Sequence, residues 1–136
     1  MTRRYWDRVG GTLLEEYLVV PPGRDFSMRV VDAVIIVGGD KRIASRAESV
    51  NLRGHDLIVV QTKARRLGMY LLGQALFSRS LIEDRFKPRS IRTVALCAAN
   101  DAVLSPIAER FGIEIVVDDL ARDFESLDHE GRAGGI

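Results

Sequence analysis

One aspartate stands inside an apolar β-branched run, Arg29-Val30-Val31-Asp32-Ala33-Val34-Ile35-Ile36. A second such run, Leu57-Ile58-Val59-Val60-Gln61-Thr62-Lys63, ends in two polar residues two positions apart. A buried strand does not carry a charge unless something pairs with it or binds it. Side chains alternate along a strand, so Gln61 and Lys63 share a face, about 7 Å apart. If the two runs are neighbouring strands, Asp32, Gln61 and Lys63 converge at one spot on an apolar sheet. A carboxylate, an amide and an ammonium group meeting there could hold a divalent cation and offset developing negative charge.

The rest of the chain must supply the elements that bring these groups together. Asp7 to Leu14 reads as a short helix interrupted at Gly10-Gly11, and Glu16 to Val20 as a strand stopped by Pro21-Pro22-Gly23. Met28 to Val37 is the second strand, residues 41–54 are a polar loop with room for a short turn or strand, and Leu57 to Lys63 is the third. Apolar positions at helical spacing predict a helix over Leu67 to Ile82, broken at Lys87-Pro88. Ile91 to Ala98 is a strand, Asn100-Asp101 caps a helix over Ala102 to Arg110, and Ile113 to Val117 is the last strand. Three consecutive early strands suit an antiparallel meander, and the later strand–helix–strand alternation requires parallel crossovers. The expected class is α/β, with a central mixed β-sheet flanked by helices in the order α-β-β-β-α-β-α-β.

An acid at or before the first strand (Glu15 or Glu16), a lone Asp32 in the second and Gln61-Thr62-Lys63 ending the third together resemble the PD-(D/E)XK phosphodiesterase superfamily. A further match is Gln74, within Leu72-Gly73-Gln74-Ala75-Leu76-Phe77 on the following helix. The resemblance spans roughly residues 10–117 and implies a restriction-endonuclease-like core that hydrolyses DNA phosphodiesters with Mg2+ or Mn2+. It implies that Asp32 is the central metal ligand and that Glu16, or its neighbour Glu15, is a second acidic ligand or orients a water. The Thr62 carbonyl would complete the protein ligands, Lys63 would stabilise the attacking hydroxide or the phosphorane charge, and Arg65, Arg66 and Gln74 would contact substrate. Gln61 is the departure, because the family more often has Asp or Glu there. An amide oxygen ligates a metal more weakly and brings no charge. The alternative function is therefore a catalytically inactive nuclease-fold subunit serving nucleic-acid binding or protein assembly.

Each of these residues also has a purely structural use. Asp32 could form a buried ion pair with Lys63 or Arg29. Lys63 could mark the solvent end of its strand, and Glu15 and Glu16 could be an exposed acidic pair. Gln74 shares the apolar stripe of Leu71 and is expected to face inward. Arg65 and Arg66 are expected to open the helix, in contact with phosphates or simply solvated. His55-Asp56 reads as a turn, Trp6 as a cover for the core, and Cys97, in the run Thr93-Val94-Ala95-Leu96-Cys97-Ala98, as a buried thiol.

Composition bounds these readings. The 136 residues suit one domain, expected over residues 1–122 with a frayed acidic and glycine-rich tail at 123–136. The net charge of +1 hides an asymmetry, with 18 basic and 12 acidic residues in 1–113 against 2 and 7 in 114–136. A basic body suits a polyanionic partner, here DNA. One cysteine excludes an internal disulfide and a cysteine-rich zinc site. No apolar stretch approaches the roughly 20 residues of a membrane span, and the first residues lack a signal peptide's apolar core, so a cytoplasmic location is expected. A core this small is expected to need help in selecting its substrate, since no recognition domain is obvious in the sequence. It is expected to act as a homodimer or as a subunit of a larger complex.

Overall fold

The computed structural model describes residues 1–118 and 120. The elements are α1 (Thr2–Val9), β1 (Thr12–Val20), β2 (Arg29–Ile36), β3 (Arg42–Ile43), β4 (Asp56–Arg66), α2 (Met69–Phe86), β5 (Ser90–Ala99), α3 (Leu104–Arg110) and β6 (Ile113–Val117). The strands form one six-stranded mixed sheet in the order β3-β1-β2-β4-β5-β6. β1, β2 and β4 form the antiparallel meander, and β4, β5 and β6 are parallel. The two-residue β3 lies parallel to the start of β1. No helix among the described residues is long and apolar enough to cross a membrane.

Two-residue alternation divides the apolar side chains between the faces of the sheet. On one face Leu13, Ala33, Ile35, Ile58, Val60, Val94 and Leu96 pack under Tyr5 of α1. On the other, Leu14, Val34, Ile36, Leu57 and Val59 pack under Ile82 of α2, and Ala95 and Cys97 under Leu71, Ala75 and Ala108 of α2 and α3. Each of β2, β4 and β5 therefore buries side chains on both faces, which explains their nearly unbroken apolar sequences. Cys97 is fully buried, and burial pushes its thiol pKa up, as a structural thiol requires.

The start of the chain, before β2, differs from the sequence expectation. The helix is Thr2–Val9, not Asp7 to Leu14, and β1 begins at Thr12, four residues before the expected Glu16. Gly10 (φ 76°) ends the helix and Gly11 (φ 82°) turns the chain directly into the sheet. A Cβ at Gly11 would lie 2.4 Å from the Ile36 carbonyl oxygen, so this junction requires glycine. Trp6 does cover the core: it packs beside Tyr5 and its Nε1–H donates to the Gly11 carbonyl at 2.7 Å. Farther on, Asp101 caps α3 as expected, accepting from the N–H groups of Val103 (2.9 Å) and Leu104 (3.0 Å), although the helix starts at Leu104 and not Ala102. The expected tail at 123–136 lies outside the described residues.

Candidate active site

Asp32 occupies the point where the strand pairing on both sides of β2 departs from a regular ladder. Toward β4, pairing runs from Ile36–Leu57 to Ala33–Val60 and goes no further. Toward β1, the register is kept through Glu15–Ala33 and Tyr17–Val31, but Glu16 between them has φ 48°. A left-handed conformation at a residue with a side chain costs about 1–3 kcal/mol. This kink re-aims both strands. Leu14 and Tyr17 pack in one cluster, as do Val31 and Val34, although strict alternation would send residues three apart to opposite faces. The pairs Glu15-Glu16 and Asp32-Ala33 are thereby turned away from the α2 side together.

Side chains take over where the β2–β4 ladder stops. Asp32 Oδ2 accepts from the Thr62 N–H at 2.7 Å and from the Thr62 hydroxyl at 3.1 Å. The Asp32 N–H donates to Gln61 Oε1 at 3.3 Å, and Gln61 Nε2 donates to Ser78 Oγ at 2.7 Å. A continuous path of hydrogen bonds thus runs from α2 through Gln61 to the Asp32 backbone, and from the Asp32 carboxylate back to β4. Gln61 is 4% exposed, so its amide belongs to the fold and both of its ends are engaged. Asp32 Oδ1 accepts no hydrogen bond among the described residues.

The structure brings some of the expected residues together and leaves others apart. Asp32, Gln61 and Thr62 are directly bonded. Lys63 follows on the same side of β4 as Gln61, exposed and without an ion pair among the described residues, whereas the Asp32 carboxylate lies with Thr62. The expected convergence of Lys63 with Asp32 on one face is therefore not realised: the carboxylate bonds to the strand residue between Gln61 and Lys63. The alternative in which Asp32 forms a buried ion pair is not realised with either Lys63 or Arg29. Glu15 pairs with Arg3 of α1 at 2.8 Å, and this guanidinium holds its carboxyl below the ordinary range. Glu16 pairs with Arg46 at 2.5 Å on the surface. Neither acid bonds to the Asp32 side chain.

Three expectations need correction. Arg65 and Arg66 do not open the helix: β4 extends to Arg66, with its register to β5 shifted between Lys63 and Arg66. Arg66 there donates to the Asn100 carbonyl at 2.6 Å. Gln74 is not buried with Leu71 but exposed, because it lies a quarter-turn off the buried stripe and faces an open groove. His55-Asp56 is more than a turn, since Asp56 opens β4 and accepts from Arg89 and Ser90. Ser78 was missed, although a polar residue on the buried α2 stripe of Leu71, Ala75 and Ile82 is a readable signal.

Among the described residues no group of three His, Cys, Asp or Glu side chains could hold a metal ion. The donors present fit a hydrated Mg2+ or Mn2+ taken by one carboxylate, with most of its shell left as water, and do not form a protein cage. Asp32, with one oxygen fixed by neutral donors and the other open, is the group suited to that role. Comparison with known proteins matches no family model, no curated protein and no solved structure.

Proposed function

We propose that the chain is a metal-dependent phosphodiesterase domain acting on DNA, built on a restriction-endonuclease-like core. The element order supports this reading: a helix, an antiparallel meander, a crossover helix and a parallel strand, with the acid on the second strand of the meander and the lysine on the third. One observation carries it. The Asp32 carboxylate is held at the gap between β2 and β4 by the neutral donors of Thr62, with Oδ1 open.

In this reading Asp32 would hold a divalent cation, and Glu16, at the kink opposite Asp32 in the β1–β2 register, would supply a second acid on leaving Arg46. The cation, when bound, neutralises phosphate charge and lowers the pKa of water. Thr62 fixes the carboxylate in one rotamer through two hydrogen bonds. Lys63, leaving β4 on the Gln61 side, would contribute a positive charge to the phosphorane-like transition state by reaching round the end of the β2–β4 ladder. Gln61 positions Asp32 through its main chain and is not itself a ligand.

Supercoiled plasmid incubated with Mg2+ or Mn2+ tests this. Wild type should nick it, EDTA should stop the reaction, and Lys63→Ala should slow it by at least about 100-fold, the range for losing one transition-state charge contact. A second reading, a nuclease-fold subunit that binds but does not cut, is favoured by the ion pairs that engage Glu15 and Glu16. That subunit would bind plasmid and leave it intact with either metal.

A further inference from the structure

An open groove of about 670 Å³ runs between α2 and the first half of β2. Its floor is Gln61 and Ser78, the pair whose hydrogen bonds reach the Asp32 backbone N–H. One wall is α2, where Tyr70, Gln74, Phe77 and Leu81 recur at helical spacing. Tyr70 is 75% exposed and Phe77 70%, unusual for aromatic rings on a helix whose opposite stripe is fully packed. Gly73 lies between them with open space where a Cβ would stand. The other wall carries Arg29 and Val30 of β2.

The groove's chemistry selects its occupant. Its lining holds two exposed aromatic rings, two primary amides and one guanidinium, and no carboxylate. Arg29 bonds only to the Met28 carbonyl among the described residues, so its charge is not neutralised by an acid. Tyr70 and Phe77 are two helical turns apart, about 10 Å along the axis, which is room for successive unstacked bases and not for a rigid duplex. Aromatic platforms with a cation beside them suit bases and phosphates of a single strand, and the exposed amide of Gln74 offers a donor and an acceptor to base edges.

We propose that this groove binds an unpaired DNA strand, stacking bases on Tyr70 and Phe77 with Arg29 on the backbone, and leads it toward Lys63, which follows Gln61 on the same side of β4. The choice of a nucleic acid rests on the phosphodiesterase reading. The substrate class is then DNA with a single-stranded segment, such as a flap, a gap or an end.

Binding of a fluorescein-labelled oligothymidylate of roughly a dozen nucleotides, in EDTA, isolates this step from cleavage. Wild type should bind it more tightly than a duplex of the same length. Tyr70→Ala and Phe77→Ala, both at exposed positions, should each weaken binding about tenfold. Tyr70→Trp should restore it, and emission from the introduced indole should be quenched by stacked thymine. Equal binding by the alanine variants, or preference for the duplex, overturns the proposal. So does a dimer in sedimentation that Tyr70→Ala and Phe77→Ala abolish, which would make a second copy the occupant. Plasmid nicking that survives these results would leave the hydrolytic reading intact, and binding without nicking would break only that reading.

Discussion

The two ends of β4 handle an aspartate in opposite ways. At the start, Asp56 accepts from the Arg89 guanidinium and the Ser90 hydroxyl, and this holds its carboxyl well below the ordinary range. Pairing with β5 is continuous there, from Asp56–Ser90 onward. At the far end, the β2–β4 ladder has stopped, and Asp32 takes two hydrogen bonds from Thr62 and no cation. The first carboxylate is satisfied by an ion pair and holds strands in place. The second is held in position but its charge is not cancelled. The same side chain therefore acts as a fastener or as a candidate ligand according to what its partners carry.

The comparison extends to the acids of β1. Glu15 resembles Asp56, with an arginine from another element fixing it. Glu16 is paired as well, but at 60% side-chain exposure and on a strained backbone, which makes that contact weak and exchangeable. The kink at Glu16 and the gap at Asp32 occur at the same level of the sheet. Backbone strain of this kind persists where surrounding structure enforces it, and it concentrates where chemistry is done.

Breaking the relay behind Asp32 should have the largest effect on stability. Gln61→Met leaves Ser78 Oγ and the Asp32 N–H without partners in a buried setting, and should cost about 1–3 kcal/mol in urea unfolding. No loss would mean that water replaces the amide and the relay is not structural. Glu16→Gly should do the reverse, raising stability by up to about 1 kcal/mol because glycine accepts φ 48° without strain. In the same variant nicking should fall, so that stability and activity move apart at a single position. A stability loss there would show that the Arg46 contact outweighs the strain.

The smallest effect should come from the fastened end. A carboxyl whose folded pKa is depressed contributes stability that is present above its unfolded value, about 3.9, and is lost as pH falls through the folded value. Wild type should therefore lose stability progressively below about pH 4, and Asp56→Asn should show a shallower acid limb with nicking unchanged near neutral pH. A steeper limb in Asp56→Asn would contradict the assignment of Asp56 as the fastener.

Much of this arrangement was legible in the sequence, for physical reasons that differ by element. The runs around Val34 and Val59 are apolar on both faces because helices cover both sides, and that pattern reads directly as central strands. The crossover helix is legible from the helical spacing of Leu67, Tyr70, Leu71, Gln74 and Leu81, but the face is not: the buried stripe is Leu71, Ala75, Ser78 and Ile82, and Tyr70 and Gln74 are exposed. Helix α1 was misplaced because Tyr5 alone is fully buried in it, too little for a period to show. Arg65 and Arg66 read as the start of a helix because their charges break the strand pattern, yet backbone pairing with β5 carries the strand past them. In the site, the types Asp32, Gln61 and Lys63 were visible, but their bonding was not. Whether Gln61 meets the Asp32 carboxylate or its N–H depends on where a ladder ends, and that is decided by the kink at Glu16 and the packing of Ser78, both tertiary.

The central claim is that the charge on Asp32 is left open for a divalent cation. Mn2+ binding followed by electron paramagnetic resonance, on wild type and Asp32→Asn, tests it most directly. Asparagine keeps an acceptor for Thr62, so the variant should fold with nearly wild-type stability. The account predicts bound Mn2+ in wild type and its loss in Asp32→Asn. Equal Mn2+ binding by a folded Asp32→Asn, or none by wild type, would contradict it.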